Sequence, residues 1–244
     1  MLSVEDVRAR VFSLTTAEAA KIGSYTQGSA AWLQSRENRL TASNFGAAVN
    51  MNKYCSATAL LKDMLWKTFQ GNEATRWGSD HESGARDAYV ASVRAEIAAG
   101  TSPYRSIDVE ESGLFLNAAY PWLGCSPDGV VTVETVEGDR QRFLLEIKCP
   151  FSKRFYEPNP VPLYYNCQIQ GCMALMNLPF CDFVVWVPGS MQITRVHADP
   201  VFWAEVMLPR LEHFYFQRYL PAFVEKSNGT LSVGRTTVSL DLDT

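Results

Sequence analysis

Cys125-Ser126-Pro127-Asp128-Gly129-Val130-Val131, followed further on by Phe143-Leu144-Leu145-Glu146-Ile147-Lys148-Cys149-Pro150, is the part of the chain whose reading decides the fold. Pro127-Asp128-Gly129 is a turn signal, and the apolar runs beside it read as strands that Pro150 ends, since proline lacks the ladder donor. On a strand, side chains at i and i+2 share a face. Glu146 and Lys148 therefore project together, while Ile147 faces the other way and leaves its carbonyl available. Two carboxylates and a carbonyl are hard oxygen donors of the kind Mg²⁺ takes. A neighbouring ammonium can hold or deprotonate a water that such an ion activates. Phe143-Leu144-Leu145 places the charged triplet on a buried strand, where charges without a purpose are costly. The stretch points to metal-dependent hydrolysis of a phosphodiester.

The 244 residues suffice for one domain with a sizeable core, and 47% hydrophobic with 20% charged residues is an ordinary globular balance. A formal net charge of −4 supplies no global basic field, so a nucleic-acid partner would need a locally basic groove. Six cysteines (Cys55, Cys125, Cys149, Cys167, Cys172, Cys181) form no C-x-x-C pair, which excludes common zinc spacings and suggests buried thiols in a reducing compartment. No apolar run approaches the ~20 residues of a membrane span, and Glu5, Asp6 and Glu18 argue against a transit peptide. The expectation is a soluble, intracellular protein, in the cytoplasm or in whatever host compartment holds DNA.

Ser3 is expected to cap a first helix through Val4, Val7, Val11 and Leu14, with a linker from Gly23 to Gly28. Ser29 opens a short helical segment that Trp32 and Leu33 should anchor to the core. Arg36 and Arg39 share a face, and Ser43 is the expected N-cap of residues 44–49. Ser56 caps a helix with Leu60, Leu61, Met64, Leu65, Trp66 and Phe69 as its buried stripe. A longer helix runs from Ala74 to Ala98, with Glu82 pointing inward beside Gly78 and Gly84, two glycines that a closely approaching strand or ligand would explain.

The texture then changes to strands at residues 107–111, 113–118, 123–125, 129–134 and 143–149. After a stiff loop from Pro158 to Pro162 comes a helix from Leu163 to Asn177. A hairpin of residues 183–187 and 191–196 follows, then a helix from Pro200 interrupted or bent at Pro209. This order gives an α/β fold with a central mixed β-sheet flanked by helices. Residues 1–224 form a single domain, with its core at about 30–196, and residues 225–244 a polar tail.

Asp128…Glu146-Ile147-Lys148 is the pattern of the PD-(D/E)-x-K nuclease superfamily, whose core is restriction-endonuclease-like. The flanking motifs narrow the resemblance. Trp32-Leu33-Gln34-Ser35-Arg36 with Leu40-Thr41-Ala42-Ser43, Trp77-Gly78-Ser79-Asp80-His81-Glu82, the two stretches above, and Tyr165-Asn166-Cys167-Gln168-Ile169-Gln170 occur in the order seen in the phage lambda exonuclease family, the YqaJ-type viral recombinase nucleases. The resemblance spans roughly Ala30 to Val196.

The resemblance implies a Mg²⁺-dependent exonuclease of double-stranded DNA ends, with Mn²⁺ as a substitute and two ions bound. Such an enzyme works 5′→3′ to leave 3′ overhangs for a single-strand annealing protein, often as a trimeric ring. It implies Asp128, Glu146, the Ile147 carbonyl and Glu82 as metal donors, Lys148 as the water-positioning lysine and Gln168 as its companion. Ser126 would lie near the substrate backbone, and Arg36 with Ser43 nearby would receive a terminal 5′-phosphate. The chain departs from the pattern at Glu37-Asn38-Arg39-Leu40, where many relatives carry glycine. Arg39 then shares the phosphate and Glu37 opposes it. Lys153 and Arg154 would follow the DNA backbone. Two other readings stay open, an endonuclease of the same superfamily and a non-catalytic DNA-binding module.

Overall fold

The computed structural model describes residues 1–66, 71–151 and 161–231. Phe69, Lys153, Arg154, Pro158 and most of the polar tail lie outside the described residues.

The chain opens with two capped helices. In α1 (Val4–Phe12) Ser3 and Asp6 cap each other's backbone, and Val7 and Val11 are buried. In α2 (Thr16–Gly23) Thr15 and Glu18 form the same reciprocal box. This second helix precedes the expected linker and was not anticipated.

Next come α3 (Ala30–Ser35), capped by Ser29, the two-residue strand β1 (Leu40–Thr41) and α4 (Phe45–Ala48). Ser43 does not cap α4: it sits inside a 3-10 turn, Ala42–Asn44, and Asn44 takes the cap position without a side-chain bond. Leu33 does not anchor α3 either, being 55% exposed. The short helix instead turns Trp32 and buried Ser35 towards the protein.

Helices α5 (Ala57–Trp66) and α6 (Glu73–Ala98) follow, the latter capped by Asn72. Nothing lies within 4 Å of a Cβ built on Gly78 or Gly84, so no strand approaches them; Gly78 borders open space in the cavity described below.

The meander comprises β2 (Tyr104–Glu110), β3 (Phe115–Asn117), β4 (Tyr120–Cys125), β5 (Gly129–Thr135) and β6 (Arg140–Lys148). Helix α7 (Leu163–Met176) carries the chain to β7 (Phe180–Val187) and β8 (Ser190–His197). The main sheet has the order β2-β5-β6-β7-β8, in which β6 and β7, joined through α7, run parallel and the other neighbours antiparallel. A smaller sheet, β1-β4-β3, begins where β1 pairs in parallel with β4.

Strand alternation divides the core. Phe143, Leu145 and Ile147 of β6 and Val184 of β7 face α6, where Ala85, Tyr89 and Val93 cover them. Leu144, Cys181, Phe183 and Val185 face α7 and the C-terminal helix. The expected mixed sheet flanked by helices is the fold observed.

From Pro200 to Ser227 the chain stays helical, through π-helical Phe202–Met207, α8 (Leu208–Glu212), π-helical His213–Tyr219 and α9 (Leu220–Ser227). The helix is not broken at Pro209. Each wide segment ends just before a proline, Pro209 or Pro221, where the ring would crowd the carbonyl one turn back. Helix α9 crosses the boundary placed at Glu225, and Asn228 just beyond it bonds both the N–H and the carbonyl of Leu2. No helix among the described residues is long and apolar enough to cross a membrane.

Candidate active site

Four elements converge on a cavity of about 290 Å³. Its lining includes Glu82 from α6, Asp128 from the turn before β5, Ile147 and Lys148 from the end of β6, and Tyr165 from the first turn of α7. The backbone register fixes the two strands: Gly129 pairs with Leu145, so the turn residue Asp128 stands beside the end of β6. The Ile147 N–H donates to Asp128 Oδ2 at 2.6 Å. Glu146 Oε1 accepts from Lys148 Nζ at 2.5 Å and from Gln168 Nε2 at 2.6 Å. Glu82 Oε1 accepts from Arg86 at 3.1 Å, one helical turn along α6.

Burial raises the pKa of all three carboxyl groups. Glu82 is pushed up to about 7 by burial and by Asp128, against the pull of Arg86 and Lys148. Glu146 also reaches about 7, through burial and then Asp128. Asp128 is raised by burial although Lys148 and the Ile147 N–H oppose it. Burial alone would lower Lys148, but Glu146 and Asp128 outweigh it and leave the amine well above its ordinary value. Without a bound ion Lys148 is therefore held as an ammonium that donates to Glu146.

Three acids crowded in one half-buried site with too little cationic charge suit a hard divalent ion. Among the described residues no three His, Cys, Asp or Glu side chains already stand in a coordination shell. Asp128 and Glu146 are turned to protein donors instead, so binding an ion requires those hydrogen bonds to re-form around it. Within that limit the donor set fits: oxygen ligands from Asp128, Glu146 and Glu82, with Ile147 at the cavity wall.

Around Arg36 the expectations divide. Its guanidinium stacks 4.2 Å from the Trp32 ring centre and donates to Thr41 Oγ1 at 3.1 Å. Trp32 Nε1 in turn donates to Ser126 Oγ at 3.2 Å, joining this pocket to the Asp128 turn. The structure thus brings Arg36, Trp32, Thr41 and Ser126 together. No bond links Ser43, which is exposed, to Arg36 among the described residues. Arg39 turns away, donating to the carbonyls of Pro121 and Ser35. Burial pulls Arg36 down to about 10, and it pairs with no carboxylate among the described residues.

The profile of the YqaJ-like viral recombinase domain matches residues 31–178. The chain belongs to this family. It is 25% identical, in an alignment 177 residues long that covers 67% of this chain, to an uncharacterized protein of Acanthamoeba polyphaga mimivirus, of which the match spans 30%. LHK-Exo, an alkaline exonuclease from Laribacter hongkongensis, has the same fold with a TM-score of 0.59 at 26% identity, covering 82% of this chain and 98% of that one. LHK-Exo in complex with dAMP gives a TM-score of 0.60 at 25% identity, with the same coverage. The motifs from Trp32 to Gln168 all fall within the matched YqaJ-like region, so the family expected from their order is the family found.

Three features of this YqaJ-like site were not read from sequence. Arg86 bridges Glu82 and Glu111, and its buried Nε has no hydrogen-bond partner among the described residues. Its i, i+4 spacing from Glu82 was the available signal, but such pairs usually lie on solvated helix faces. Trp32, expected as a core anchor, is the bridge between Arg36 and Ser126. Tyr165 places its ring 4.9 Å from Lys148 Nζ. His81 stacks on Trp77 at 3.7 Å and is absent from the cavity lining.

Proposed function

We propose that the chain is a Mg²⁺-dependent exonuclease of double-stranded DNA that degrades one strand 5′→3′ and leaves a 3′ overhang for an annealing protein. The observation carrying this reading is the convergence of Glu82, Asp128 and Lys148 on one cavity, with Glu146 bonded to Lys148 directly behind it. Membership of the YqaJ-like viral recombinase family and the likeness to LHK-Exo support it.

In this reading Asp128, Glu146, Glu82 and the Ile147 carbonyl hold the divalent ions. When bound, such ions lower the pKa of water and neutralise charge on the leaving oxygen. The protein's own groups do the placing. Gln168 and Lys148 fix the Glu146 carboxylate from two sides, and Asp128 is locked to the β6 backbone. Lys148 would hold the attacking water beside them. Arg86 steadies Glu82.

Arg36 would receive the terminal 5′-phosphate. A half-buried guanidinium that meets no carboxylate among the described residues gains most from an anion that accepts two parallel hydrogen bonds. Arg36→Ala should therefore slow digestion of 5′-phosphorylated ends selectively, and equal slowing on unphosphorylated ends rejects the role. Digestion of end-labelled linear duplex against closed circular duplex, with and without Mg²⁺, tests the whole proposal. Cleavage of closed circles would instead make the chain an endonuclease.

A further inference from the structure

The catalytic cavity continues outward along a row of tyrosines. Tyr165, at its wall, lies 4.3 Å from Tyr164, centre to centre. Tyr164 meets Tyr54 edge to face at 5.6 Å and 81°. Tyr54 is 74% exposed, and Lys53 Nζ stands 5.0 Å from its ring centre. Three rings thus run from the candidate reaction centre to solvent, with Lys148 at the inner end and Lys53 at the outer.

A ring so exposed adds little to the core, yet its setting is firmly built. The Tyr54 N–H donates to Asn52 Oδ1 at 2.9 Å, and Asn50, held at φ 59°, accepts from the Ala57 N–H at 3.2 Å. Underneath, a Cβ on Gly46 would lie 2.9 Å from the Tyr164 Cα, so α4 sits directly against the first turn of α7. Packed backbone, not contact with solvent, fixes where Tyr54 and Tyr164 stand.

Aromatic faces interleaved with ammonium groups are what single-stranded nucleic acid binds: bases stack on the rings and cations follow the phosphates. We propose that Tyr54, backed by Tyr164, is a stacking platform for a base of the strand being hydrolysed, a short step from the phosphate that lies at Lys148. The inference rests on the nuclease reading of that cavity. Continuity of the rings with the cavity favours DNA over a protein partner at this patch.

Two measurements test it. An Asp128→Asn chain, which lacks the carboxylate needed for hydrolysis, is titrated with duplexes carrying one 2-aminopurine at each of the first few positions of the degraded strand. Quenching is expected at one position. Adding Tyr54→Ala should abolish it and weaken binding by about 5- to 10-fold, the low end of what one base–aromatic stack supplies, while Tyr54→Phe keeps both. In the active chain with Mg²⁺, a single abasic site should slow digestion as it passes the platform and should slow Tyr54→Ala no further. Unchanged quenching in Tyr54→Ala, or identical abasic pauses in the two chains, overturns the proposal. Should the active chain hydrolyse no DNA, the nuclease reading fails, and the quenching measurement still decides whether Tyr54 stacks on a base.

Discussion

At Glu146 a single carboxylate oxygen serves both Lys148 and Gln168, yet burial and the nearby Asp128 still hold its pKa up, which makes the site sensitive to pH. Glu82 and Glu146 titrate at about 7 in the folded chain, against an ordinary value of 4.5. The native state therefore keeps protons that the unfolded chain has lost, so without metal these groups make stability fall as pH rises from 4.5 through about 7. A divalent ion needs the ionised carboxylates, and its affinity should rise over the same window. The rise in melting temperature on adding Mg²⁺ should be clearly larger at about pH 8.5 than at about pH 6. Equal rises would contradict the ligand assignment. Asp128, Glu146 and Lys148 were legible in the sequence because strand alternation is strict and the triplet follows an apolar run. Arg86 was not, because only burial distinguishes its bond to Glu82 from a surface helix pair.

Among the elements, the contact between α4 and α7 sets the geometry of the site. A Cβ on Gly171 would lie 2.4 Å from carbons of the buried Phe45 ring. Gly171→Ala should therefore destabilise the fold by about 1–3 kcal/mol, the usual range for overpacking, as measured by denaturant unfolding. A second support lies on the α6 face, where buried Asp182 accepts from Tyr89 at 2.8 Å and from Arg195 at 2.8 and 3.0 Å. Asp182→Ala leaves the Tyr89 hydroxyl without its acceptor and Arg195 without its carboxylate, though still bonded to Tyr104, at a cost of about 3 kcal/mol. This is the low end for a broken buried pair, because Arg195 is 37% exposed.

Long periodic elements such as α6, α7 and β7 were legible. The two residues of β1 are too few to show a period, and their pairing with β4 is a tertiary event. Helix α2 did carry a signal, the Thr15…Glu18 box, although none of its residues is buried. The π-helical segments follow from fitting Pro209 and Pro221 into a helix that the core requires, and local propensity alone does not show this.

For the molecule as a whole, the sheet separates two cores and the cavity opens at the end of β6, where strands, α6 and α7 meet. A net charge of −4 gives little long-range attraction for DNA, which a ring of copies around the duplex would offset by topology. Light scattering of the free protein should then give three times the 27.3 kDa of one chain, and a monomer mass would contradict the ring.

The most direct test of the central claim is digestion of end-labelled linear duplex beside closed circular duplex, with Mg²⁺ or with a chelator, for the parent chain, Asp128→Ala and Lys148→Ala. The account predicts release of nucleotides from linear duplex only, only with Mg²⁺, and slower by about 10²-fold or more in both variants. Undiminished hydrolysis by both variants, or by the parent chain in chelator, would contradict it.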